Sequence, residues 1–205
     1  LVSIAFLALR VLASWDCAVG TQTPCHGCVV QINVGQSVLL STDTSGSWLQ
    51  LSITSGFGRL SDSELTLAFV GPGDVQLIRI PAGCAGCLEA LTDLSVVWRD
   101  LPDGLGFGDD LISDWMLRLL RLRSQPQADR RLQVLFQALI WHHGRRIGQG
   151  YWLPFCLSHG RLAELIGSTR PTATRALQQL RQYGHLRDHP DQPGWLFQPD
   201  FLTLV

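Results

Sequence analysis

From Val29 to about Val97 the chain is a series of short apolar runs broken by turn-forming residues. Val38–Leu40, Trp48–Ile53, Leu65–Val70 and Val75–Ile80 are separated by Thr42–Ser47, Thr54–Gly58 and Gly71–Gly73. Such runs, with Gly, Pro, Ser or Asp punctuating about every ten residues, predict an antiparallel β unit, a sandwich or roll. Downstream the period becomes that of a helix. Asp109–Arg123 sets Ile112, Trp115, Met116, Leu119 and Leu122 at helical spacing. Acids lead that segment and arginines close it, which complements the helix macrodipole. Pro126 can start a second helix whose buried stripe is Leu132, Leu135, Phe136, Leu139 and Ile140, ending near His143 and Gly144.

Two more helices are expected between Leu157 and Tyr183. Ser158 is a good N-cap, and Leu162, Leu165 and Ile166 form one face. Ala163 is small where two helices must cross, and Gly167 can take the left-handed conformation that ends the first helix. Ser168 or Thr169 caps the second helix and Pro171 fits its first turn. Ala173, Ala176, Leu177 and Leu180 give it an inward stripe, leaving Arg170, Thr172, Thr174, Arg175 and Gln179 to face outward. This is a helix-turn-helix whose second helix begins polar and basic, as does a helix that enters a major groove. The run from His185 to Gln198, with Pro190–Gly194 at its centre, reads as a β-hairpin where a wing belongs. The competing reading, a helical hairpin with a solvated charged face, does not account for the spacing of Ala163, Gly167 and the two stripes.

Charge sharpens this picture. Residues 1–110 hold four arginines against eleven acidic residues, and residues 111–205 hold twelve arginines against six. One half is therefore suited to a polyanion and the other is not. Apolar residues make up 46% of the chain and charged residues 16%, enough to build a core. The apolar opening Leu1–Ala13 contains Arg10 and falls short of the roughly 20 residues that span a bilayer, so it is expected to pack on the body of a cytoplasmic protein with no membrane partner. Nucleophile–base pairs, phosphate loops and catalytic carboxylate pairs are not recognisable, and no enzymatic activity is expected.

The segment 157–183 resembles the DNA-binding motif of the CRP/FNR superfamily of transcription regulators, and Ile166–Arg175 is especially similar to its nitrogen-control branch. Asn33–Leu40 and Leu65–Val75 look like strands of that family's N-terminal β-roll. The resemblance implies an α+β fold: a cyclic-nucleotide-binding-like roll over 1–105, a dimerisation helix within 106–125, and a winged helix-turn-helix over 126–205. It also implies double-stranded DNA as partner, a homodimer on a palindromic site, and a contact with RNA polymerase. The family's operator-contacting arginines match Arg170 and Arg175, while Pro171 stands where the cyclic-AMP receptor branch has a base-reading glutamate, so the operator should differ. Ser158, Ser168, Thr169, Arg170, Thr172, Thr174, Arg175 and Gln179 are the candidate DNA-binding residues.

In place of the family's nucleotide cassette the chain has Gly73-Asp74-Val75-Gln76, with Arg79 too near to serve as the phosphate-pairing arginine, which argues against a cyclic nucleotide. Cysteines are concentrated instead: Cys17, Cys25, Cys28, Cys84 and Cys87 all lie in the first half. Cys25/Cys28 and Cys84/Cys87 are C-x2-C pairs, and four thiolates can complete a tetrahedral zinc site. An iron–sulfur cluster with Cys17 as a further ligand is the second reading, and small buried thiols are the third. The visible spectrum and metal content of anaerobically purified protein separate the three. Two other functions stay open at this point: a thiol–disulfide oxidoreductase using a C-x2-C pair, and a DNA-binding regulator whose roll is a ligand-free scaffold. Cys156 is expected to be buried, and His142 and His143 to serve as cations at a helix end.

Overall fold

The computed structural model describes residues 29–40, 48–62, 65–73, 76–80, 86–101, 110–148 and 150–203. Its first eight strands are β1 (Val30–Ile32), β2 (Ser37–Leu40), β3 (Trp48–Ser55), β4 (Gly58–Asp62), β5 (Leu65–Val70), β6 (Gln76–Arg79), β7 (Gly86–Ala90) and β8 (Leu94–Leu101). They form two four-stranded antiparallel sheets, ordered β1-β8-β3-β6 and β2-β7-β4-β5. Alternation makes the shared core: in β3, Leu49, Leu51 and Ile53 turn inward while their neighbours do not. Leu60, Ala68 and Leu88 from the second sheet join the same core. The roll expected from the short apolar runs is present.

The four apolar runs correspond to β2, β3, β5 and β6, whereas β1, β4, β7 and β8 were not individually marked, β4 least of all. β4 begins at Gly58, inside the expected turn 54–58, and reads Gly-Arg-Leu-Ser-Asp, so no apolar run marks it. Its Arg59 is nonetheless 4% exposed. Burial of that charge is tolerable because Nε donates to Glu89 Oε2 at 2.6 Å and a terminal nitrogen to Thr66 Oγ1 at 3.1 Å. The turn itself is tighter than expected. Gly56 has φ +82°, and a Cβ there would collide with the Asp93 carbonyl oxygen.

Helix α1 (Leu111–Arg123) starts at Asp110, whose carboxylate accepts from the amides of Ile112 and Ser113. The same carboxylate accepts the amide of Arg79 at 3.2 Å, pinning the start of α1 to the end of β6. Ile112, Trp115, Leu119 and Leu122 are buried, as their spacing predicts, and Met116 is half-buried. Helix α2 (Ala128–His143) follows Gln127, which stands at the N-cap position without a side-chain cap bond, so Pro126 lies outside the helix and not within its first turn. Leu132, Leu135, Phe136, Leu139 and Ile140 are buried along it.

The end of α2 corrects a sequence expectation. His143 is 9% exposed, its ring stacked on Trp115 at 5.9 Å and set edge-on to Phe57 at 5.8 Å. Burial, with His142 beside it, pushes its pKa from the usual 6.5 down to about 3. His142 is lowered too, by burial and then by Arg118. Neither histidine therefore serves the helix end as a cation at neutral pH. Between pH 6.5 and about 3 the unfolded chain takes up a proton at His143 that the native one refuses, so stability falls as pH drops through that window. The slope is up to about 1.4 kcal/mol per pH unit. Urea unfolding at pH 7, 6 and 5 should show wild-type stability falling more steeply than that of His143→Leu; equal slopes would refute a neutral native histidine.

The remaining elements are β9 (Arg145–Ile147), β10 (Gly150–Leu153), α3 (His159–Leu165), α4 (Arg170–Gln182), β11 (Leu186–Asp188), β12 (Trp195–Phe197) and a 3-10 turn at Pro199–Thr203. Their strands form a third antiparallel sheet, ordered β11-β12-β10-β9. The hairpin of β11 and β12 is the expected wing, whereas that of β9 and β10 was not foreseen. Between β10 and α3, Phe155 and Leu157 turn inward, which leaves Cys156 outward. Cys156 is exposed, not buried as expected.

Among the described residues no helix is long and apolar enough to cross a membrane. Cys17, Cys25, Cys28 and Cys84, like the segment Leu1–Ala13, lie outside the described residues. Cys87 is half-buried on β7, opposite Leu39 and Ser61. No group of three or more potential metal-ligating side chains occurs among the described residues.

Candidate nucleic-acid interface

Local chemistry shapes the helix-turn-helix. Ser158 caps α3, accepting the Arg161 amide at 3.2 Å. Gly167 takes φ +59°, and the chain closes α3 with two backbone bonds, Gly167 N–H to Glu164 at 3.2 Å and Ser168 N–H to Ala163 at 2.9 Å. Thr169 caps α4 through the Thr172 amide, and Pro171 lies in its first turn, where no amide is needed. Of the two expected caps, Ser168 and Thr169, the structure uses Thr169.

Two arginines from outside the motif hold the turn in place, and the sequence had not singled them out. Arg123, in the last turn of α1, donates to the carbonyls of Glu164 at 2.9 Å and Leu165 at 3.1 Å. Arg131, early in α2, reaches the carbonyls of Ile166 at 3.1 Å and Gly167 at 3.2 Å. These carbonyls lie at or just past the C-terminal end of α3, where cations are favoured. The helix they close off has seven residues, too short to be stable alone.

With Ala173, Ala176 and Leu177 buried, α4 turns Arg170, Pro171, Arg175, Gln178, Arg181 and Gln182 outward. Arg170 and Arg175 form no ion pair among the described residues, so both guanidiniums are available to a ligand. Arg181 differs: it pairs with Asp188 of the wing at 2.8 Å. Thr174 is less outward than the sequence implied. Its hydroxyl donates to the Arg170 carbonyl at 2.8 Å and lies 2.9 Å from His159 Nδ1. Thr172 is half-buried with its hydroxyl 3.0 Å from that of Thr169. Gln179 is half-buried, and the exposed amide nearest the helix start is Gln178, three residues beyond Arg175 on the same stripe. That position could have been found from helical spacing alone.

The arrangement is a basic, solvent-facing helix start, held rigidly by its partner helix and flanked by a β-hairpin. That is the architecture of a winged helix-turn-helix. Residues 117–194 match the family described as the Crp-like helix-turn-helix domain. The regulatory protein CysR of Synechococcus elongatus is 31% identical over 194 residues, covering 83% of this chain and 88% of that one. Two solved structures share the fold: FixK2 from Bradyrhizobium japonicum (17% identity, TM-score 0.59, 83% of this chain and 92% of that one) and a cyclic nucleotide-binding domain containing protein from Listeria monocytogenes EGD-e (14%, 0.61, 86% and 91%). The chain belongs to the CRP/FNR family of transcription regulators. Its C-terminal helix-turn-helix is the DNA-binding part.

Proposed function

We propose that the protein reads a palindromic DNA site as a homodimer, acting in the cytoplasm by binding and not by catalysis. The observation that carries this is the exposed stripe of α4, where Arg170 and Arg175 present unshared guanidiniums beside Gln178. A guanidinium can donate two parallel bonds to a guanine edge, and an amide can read adenine or bond phosphate. Arg170 stands at the positive end of α4, next to where a groove would run; Ser158, Ser168 and Thr169 sit around the same end as phosphate donors. Thr172 and Thr174 are assigned to shaping the helix start, and Gln179 to the rim of the stripe.

The dimer reading has its own support. Leu117 is 53% exposed and Leu120 59% exposed on the face of α1 that points away from its own core. Two large apolar side chains one turn apart on the outer face of an amphipathic helix suit a self-complementary contact with a second copy about a two-fold axis. We place the domain boundaries around this helix: roll to residue 105, α1 region 106–125, and winged helix-turn-helix from 126.

Selection from random duplexes tests the reading. It is expected to return an inverted repeat with half-sites about 34 Å apart, bound more weakly as salt rises. Recovery of no preferred sequence would overturn it. A Leu117→Glu, Leu120→Glu double variant should sediment as a monomer, keep its helical spectrum, and bind half-sites but not the full repeat with dimer affinity.

A further inference from the structure

We propose that Glu164 is a positioning residue that sets the half-site spacing the protein accepts, by fixing the helix-turn-helix to the β-roll and to α1. The proposal rests on the dimeric reading above. Glu164 is 21% exposed in its side chain and sits late in α3, on the side away from the DNA-facing stripe of α4. Its carboxylate reaches 98 residues back along the chain. Oε1 accepts the backbone amide of Thr66 at 3.1 Å, and Oε2 accepts the Thr66 hydroxyl at 2.8 Å. Thr66 belongs to β5 of the roll and is wholly buried. On its other side Glu164 lies 3.7 Å from Arg123 of α1 and 3.7 Å from Arg161 of α3.

The contact continues into the roll. Thr66 Oγ1 also accepts from the buried Arg59, which pairs with Glu89, and Glu89 lies 3.9 Å from Arg161. Five polar side chains from the roll and α3, with Arg123 of α1, thus share one set of partners. A buried hydroxyl and a buried guanidinium are costly to leave unmatched, so small shifts of α3 against β5 break bonds instead of stretching them. That gives the junction one preferred geometry where an apolar contact would allow sliding. In a dimer the rolls and the two α1 helices sit about the symmetry axis, whereas α4 meets the DNA. The distance between the two α4 helices then depends on how α3 is fixed to β5 and α1, and the Glu164 side chain bonds the first and pairs with the second.

Glu164 touches no candidate base-reading residue, which makes the test specific. Wild type, Glu164→Ala and Glu164→Gln are compared for binding to the selected palindrome, to versions with one base pair added or removed at its centre, and to an isolated half-site, with thermal unfolding in parallel. For Glu164→Ala the preference for the natural spacing is expected to fall about tenfold, as for loss of a charge-assisted hydrogen bond, while half-site affinity stays within about twofold. Glu164→Gln, which keeps one acceptor oxygen, should retain part of the preference. An unchanged spacing preference, or a half-site loss as large as the palindrome loss, overturns the proposal. If Glu164→Ala does not fold, Glu164→Gln decides by the same criterion. Failure of the wild type to prefer any spaced repeat would instead refute the dimeric reading.

Discussion

Arg170→Ala is expected to weaken binding of the full palindrome by about 2–6 kcal/mol, because both protomers lose a base contact worth about 1–3 kcal/mol. The side chain is exposed at the first helical position of α4 and makes no ion pair among the described residues, so its removal leaves the fold intact. Titration of the palindrome and of unrelated duplex at one salt concentration measures the effect. The loss should be concentrated on the palindrome, with specificity relaxed at one symmetric pair of positions. An equal loss on both duplexes would reassign Arg170 to phosphate, and no loss would remove it from the interface.

Trp115→Ala should lower stability by about 3–5 kcal/mol, the range for removing a buried aromatic ring. Trp115 is 1% exposed and is the place where three parts of the chain meet. It contacts Phe69 of β5 edge-on at 5.2 Å, and His143 and His142 of α2 at 5.9 and 5.2 Å. Phe155, ahead of α3, lies against Phe69, Phe57 and His143 in the same cluster. Roll and DNA-binding part therefore share a core, and urea unfolding of the wild type should be a single transition by fluorescence and circular dichroism. A loss below about 1 kcal/mol would mean that this junction carries little of the stability.

These two predictions draw on different kinds of information. The exposure of Arg170 was legible from the chain, since Thr169, Pro171 and the apolar stripe of α4 all act within a few residues. The role of Trp115 was legible only in part. Its spacing marks it as buried, but its partners come from β5 and α2. The same division explains what was misread. Cys156 was judged by residue type, and it is the alternation imposed by Phe155 and Leu157 that turns it outward. His143 was judged by its place at a helix end, and packing against Trp115 and Phe57 decides its charge. β4 was lost because its polar letters form a strand only through β5 and β7 on either side. Gln178 was overlooked for Gln179 although the signal is local: adjacent helical residues differ by about 100° in direction, and Gln178 is the one that shares the stripe of Arg175.

By itself the sequence determined the four helices, the Ser158 cap of α3, the left-handed glycine between α3 and α4, and the basic helix start. Each depends on interactions spanning one helical turn or less, and residue order alone specifies those. Only the tertiary structure decided which polar groups meet across the fold: Arg123 and Arg131 on the carbonyls of α3, Arg59 in the roll, and Glu164 on Thr66. Those partners are 7 to 98 residues apart, and no local pattern records which charge will find which partner. Burial leaves Arg59 and Thr66 few alternatives, and the pairings as a whole follow from packing of distant segments.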